Sequence, residues 1–205
     1  MAYAFSAASS RHLTTNSAPV TETPLTMCAW FNTFSGGVAQ GIMSLSNTSN
    51  GQFFRMALDG SSRVIANAGF NVSVSAAYTS GLWAHSAAVF ESSVSRQAYL
   101  NGVAGSANTT SFTPTGISSV FIGANSLTSV AAPNNGRIAE CGIWNAVLTS
   151  DEIAALSRGL APDKVRPQSL VFYAPLIRDL VDLRGGLALT NINGATATEH
   201  PRIYA

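Results

Sequence analysis

The feature that most constrains the fold is a succession of short runs rich in Val, Ile, Phe, Tyr and Thr, parted by Gly and Asn. Such runs suit a pleated, half-buried surface, and their regular interruption by turn residues predicts a sandwich or barrel. Strands are expected near 25–31, 41–46, 52–58, 63–68, 72–75, 82–90, 96–100, 103–107, 120–123 and 137–144. Asn101-Gly102 marks a hairpin, because a type I′ turn needs positive φ at both central residues, and Asp59-Gly60 marks a similar turn. Side chains alternate along a strand, so Trp83, His85, Ala87 and Val89 share one face, and Ala84, Ser86, Ala88 and Phe90 the other. Both faces are largely apolar, which predicts a strand covered on both sides.

One helix is announced. Thr149-Ser-Asp-Glu152 fits a capping box, Ile153 and Leu156 follow as an apolar stripe, and Gly159 stands where a helix ends. Pro162 and Pro167 bracket an expected linker over 158–169, after which Leu170-Val-Phe-Tyr-Ala-Pro-Leu176 predicts another strand. Cys28 and Cys141 both lie in apolar strand-like runs and are expected as buried free thiols.

Three stretches then resemble the laminin-G-like branch of the concanavalin-like lectin and glucanase superfamily. They are Leu25-Thr-Met-Cys-Ala-Trp-Phe31; Leu82-Trp-Ala-His-Ser-Ala-Ala-Val89 with Ala98-Tyr-Leu-Asn-Gly102; and Phe121-Ile-Gly-Ala124 with the run from Gly136 to Leu156. The resemblance implies an all-β, concanavalin-like jelly-roll β-sandwich of two antiparallel sheets with one short helix. Residues 1–157 correspond to the body of such a domain, in one domain spanning 1–205. Residues 170–205 resemble the segment that opens the family's domains, here placed last. That order implies a circular permutation in which the segment completes the chain's own sheets, the alternative being addition to a neighbouring subunit.

Composition narrows the function. Charged residues make up 10% of the 205, against roughly 25% in ordinary domains, and the net charge is +1. This gives no basic patch for a phosphate backbone, so nucleic acid is not an expected partner. Weak self-repulsion favours self-association or packing into a larger particle. The start Met1-Ala-Tyr-Ala-Phe-Ser lacks the basic and apolar regions of a signal peptide, and no segment reaches the roughly 18 apolar residues of a membrane helix.

The superfamily's glucanases carry a Glu-x-Asp-x-x-Glu strand motif, since glycoside hydrolysis needs two carboxyl groups about 5–5.5 Å apart in retaining enzymes. That motif is absent, Glu140 stands alone on its strand, and Asp179 and Asp182 read as turn formers, so no catalytic residue and no enzyme is expected. His85 belongs with strand-core residues, and His12 and His200 lack the spaced partners of a zinc site. Calcium, weighed on Asp59, Asn125, Asn134 and Asn135, has one acid among amides and is not expected as a cofactor. The expected ligand surface is the loop carrying Asn125, Asn134, Asn135 and Arg137, read as exposed donors and acceptors for sugars or protein backbones. The leading expectation is a non-enzymatic virion protein of a tailed bacteriophage, a capsid decoration or head or tail fibre component, made in the host cytoplasm. Its partners would be capsid or tail proteins and other copies of itself. The alternative is a lectin-like module that binds host glycans.

Overall fold

The computed structural model describes residues 1–47, 51–125 and 132–204. In chain order the strands are β1 (Ala2–Phe5), β2 (His12–Thr15), β3 (Leu25–Thr33), β4 (Gln40–Ser46), β5 (Phe53–Leu58), β6 (Arg63–Ala68), β7 (Asn71–Ala77) and β8 (Ala84–Ser92). They continue as β9 (Ser95–Leu100), β10 (Val103–Ala104), β11 (Ser119–Ile122), β12 (Gly136–Trp144), β13 (Leu170–Ala174), β14 (Thr190–Ile192) and β15 (Thr196–Thr198), with the helix α1 (Ser150–Ser157) between β12 and β13. Among the described residues these form two antiparallel sheets. One has eight strands, ordered β10-β9-β8-β3-β12-β1-β15 with β13 also on β12; the other has seven, ordered β14-β2-β11-β4-β5-β6-β7. The jelly-roll sandwich expected from the sequence is the fold of the chain.

Alternation decides what lies between the sheets. Met27, Ala29 and Phe31 of β3 and Ala84, Ala88 and Phe90 of β8 point inward to meet Met43, Leu45, Phe54, Met56 and Val120 of the seven-stranded sheet. On the outer face of the eight-stranded sheet, Cys28, Ala87, Val89 and Trp144 pack under Ile153 and Leu156 of α1. The strand β8 is therefore covered on both sides, as its two apolar faces require. Asn101 and Gly102 have φ of 49° and 82°, and Val103 pairs with Leu100 across them, as the I′ signal predicts.

The stretch 158–169 does more than link. Val165 joins the outer cluster with Leu160 packed against it, the Trp144 indole donates to the Val165 carbonyl at 2.8 Å, and Arg166 holds both oxygens of Glu152 at 2.9 and 2.7 Å. Beyond it, β13 pairs with β12, β14 with β2 and β15 with β1, so the C-terminal strands fill edge positions within their own chain. Cys28 and Cys141 are buried free thiols, and burial pushes both well above the usual thiol range. Among the described residues no helix is long and apolar enough to cross a membrane.

Candidate functional site

The strand β12 changes partners halfway along one edge. Its other edge is paired with β3 throughout, while β1 takes Gly136–Ile138 and β13 takes Cys141–Trp144. At the change of partner, Ala139 faces Trp30 and Gly142 faces Cys28, which leaves Glu140 and Cys141 opposite Ala29 alone. Two residues against one is a β-bulge, and its first position often has a left-handed backbone that favours glycine. Glu140 occupies that position with φ of 55°. Its N–H donates to the Pro175 carbonyl at 3.3 Å, tying the bulge to the chain just past β13.

The Glu140 side chain is 2% exposed and lines a cavity of about 540 Å³. The Tyr173 hydroxyl donates to its Oε2 at 2.6 Å. Burial, reinforced by the adjacent carboxylate, pushes the Tyr173 phenol up, so that it stays a donor. His200 Nε2 lies 3.0 Å from Oε1, while its Nδ1 sits 2.8 Å from the Pro201 carbonyl. A carbonyl only accepts, so Nδ1 is the donor in that contact. Pro175, Ile177 and Leu183 form one wall, Ala161 and Asp163 another, and the strap His200–Ile203 a third.

That strap crosses the outer face of the eight-stranded sheet. Glu199 pairs with Arg137, and Tyr204 is bound between the Gly159 carbonyl and the Ala161 N–H at 2.7 and 3.2 Å. A cavity of this size, mostly apolar with a few convergent polar groups, has the form of a small-ligand site. Its lining carries a carboxylate, a phenol, an imidazole and Arg202, whose guanidinium lies 5.3 Å from the Tyr204 ring centroid.

The four residues expected as a ligand surface are not brought together as exposed groups. Asn125 is 6% and Asn134 1% exposed; Asn134 Nδ2 donates to the Gly41 carbonyl and the Asn125 carbonyl accepts from Ser44 Oγ, so both brace the loop ends. This corrects the reading of them as exposed donors and acceptors. The half-buried Asn135 gives its N–H to Gln40 Oε1 at 2.8 Å. Arg137 points out of β12 instead, where it pairs with Glu199 and sits 5.0 Å from the Phe34 ring centroid. Residues 126–131 of the expected loop lie outside the described residues.

Both Asp59 oxygens are taken by Ser61 N, Arg63 N and Arg63 Nε, which removes it from a calcium shell. No group of three or more His, Cys, Asp or Glu suited to a metal is found among the described residues. Asp182 is a turn former, accepting from Tyr173 N, Arg184 N and Gly185 N. His85 is fully buried edge-on to Trp30, with ring centroids 5.5 Å apart, and burial pulls its imidazole down to about 3. It is a neutral core residue.

A family model for the concanavalin A-like lectin/glucanases superfamily matches residues 7–154. The chain belongs to that superfamily. Among solved structures, a putative carbohydrate-binding protein from Bacteroides ovatus superposes with a TM-score of 0.71 at 16% identity, over 99% of this chain and 61% of the other. The heptameric SAP-like pentraxin of Limulus polyphemus gives 0.67 at 14% identity, over 95% and 93%. The CBM40 domain of the Ruminococcus gnavus IT-sialidase, bound to α2,3 sialyllactose, gives 0.58 at 18%, over 68% and 84%. At these identities the likeness is one of fold. No curated protein matches the chain in sequence.

Proposed function

We propose that this chain is a non-catalytic carbohydrate-binding module whose ligand site is the cavity at the β12 bulge. The observation that carries the reading is Glu140: a carboxylate kept at a backbone position that favours glycine, buried, and lining a 540 Å³ cavity beside Tyr173, His200 and Arg202. Sugars present adjacent hydroxyls that donate and accept at once. A carboxylate accepting beside a guanidinium donating suits such a pair. The aliphatic wall of Pro175, Ile177 and Leu183 suits the C–H face of a ring. Relatives of the same fold support this, including a domain of a Geobacillus stearothermophilus arabinanase in complex with arabinotriose.

The test is binding of the full chain to an array of neutral and acidic glycans, followed by calorimetry on the hits with Glu140→Gln. Losing a charged acceptor in a buried site is expected to weaken binding by about tenfold or more. A hit whose affinity is unchanged by the substitution would place the ligand elsewhere.

A further inference from the structure

A second cavity, of about 350 Å³, adjoins the first and shares three of its lining residues, Pro175, Ile177 and Leu183. The shared wall is low and apolar: Ile177 is 46% and Leu183 62% exposed. On its far side stand Met1, Arg178, Asp179 and Val181. Arg178 and Asp179 are exposed and have no hydrogen bond or ion pair among the described residues, so a donor fork and a carboxylate stand free at the second cavity.

We infer that the ligand is a neutral oligosaccharide of at least two units, one seated against Glu140 and the next crossing the Ile177–Leu183 ridge to reach Arg178 and Asp179. The inference rests on the glycan-binding reading of the first cavity and adds the length and charge class of its ligand. Length follows from continuity: a single sugar ring in the first cavity leaves the ridge and the free Arg178–Asp179 pair uncovered. Neutrality follows from the lining charges. Three carboxylates (Glu140, Asp163, Asp179) face two guanidiniums (Arg178, Arg202) and the His200 imidazole, a balance with no surplus positive charge to hold a carboxylated or sulfated sugar. The ridge adds apolar area that the C–H faces of consecutive rings cover, contributing in proportion to the area removed from water.

The test is calorimetric titration of the full chain with arabinose, arabinobiose and arabinotriose, and with glucose, maltose and maltotriose. Wild type and the double variant Arg178→Ala/Asp179→Ala are compared, both side chains being exposed and unpaired so that folding is not at stake. In at least one series, the disaccharide or trisaccharide is expected to bind wild type about tenfold tighter than its monosaccharide, the gain of one or two added hydrogen bonds. The double variant is expected to lose that gain and keep the monosaccharide affinity. If Glu140-dependent binding is found but does not strengthen with length, or if the double variant keeps the gain, the two-cavity inference is overturned while the first site stands. Tighter binding of α2,3 sialyllactose than of every neutral glycan would overturn neutrality. If no glycan of any length binds wild type, the reading of the first cavity fails and this inference with it.

Discussion

At Glu140 the backbone and the side chain make opposing demands. Its φ of 55° is a conformation that costs an L-residue roughly 1–2 kcal/mol and glycine almost nothing. Glu140→Gly and Glu140→Ala remove the same carboxylate and expose Tyr173 and His200 to the same water, so they differ in the Cβ alone. The glycine variant is expected to be about 1 kcal/mol more stable in urea unfolding, the strain relieved exceeding the extra unfolded-state entropy of glycine; equal stabilities would show that the strain is no larger than that entropy. Glu140 is visible in the sequence as a lone acid on an apolar strand, but its bulge depends on where β3 and β13 register against β12. His85 is legible as core because its strand neighbours are apolar on both faces. Asn125 and Asn134 mislead for a local reason: Gly41 lets the loop close down on it, since a Cβ there would stand 2.5 Å from the Ala124 carbonyl carbon.

Among the elements, α1 is the one most completely written in local sequence. Thr149 Oγ1 accepts from Glu152 N at 3.3 Å and Glu152 Oε2 accepts from Thr149 N at 2.7 Å, the reciprocal capping box that Thr149-Ser-Asp-Glu152 announces. Partial burial pushes the Glu152 carboxyl up, but the Thr149 N–H and the Arg166 guanidinium outweigh it and hold it below the usual carboxylate range. A carboxyl depressed in the folded state stabilises fully above its unfolded value and loses that contribution as pH falls through the folded one. Wild type should therefore melt higher than Glu152→Gln at about pH 7, with the gap closing as pH falls below the ordinary carboxylate range. Circular dichroism melts across that range check it, and a gap independent of pH would exclude the ionised carboxylate as its source. In contrast, β14 and β15 are three residues each, Thr-Asn-Ile and Thr-Ala-Thr, too short and polar to show an alternating pattern. They exist because β2 and β1 present open edges to be paired.

Across the whole molecule, the C-terminal segment is bound into both sheets. Phe172, Leu176, Leu189 and Ala195 lie in the core, and β13, β14 and β15 cover edges of β12, β2 and β1. A chain ending at Ser169 is expected to lose its cooperative urea transition, whereas one ending at Thr198 keeps the sheets, loses the His200–Ile203 wall and fails to hold ligand. Tryptophan fluorescence and calorimetry on the two truncations test this; a sharp transition in the shorter chain would mean the segment is an appendage. The sequence by itself determines the architecture: alternating apolar runs, an Asn-Gly turn and a capped helix are local patterns, and each acts through residues a few positions apart. The tertiary structure alone decides the site. Glu140, Tyr173 and His200 are brought together by the partner switch along β12 and by the return of the chain's end across the sheet. Those are long-range events, and no spacing within the sequence encodes them.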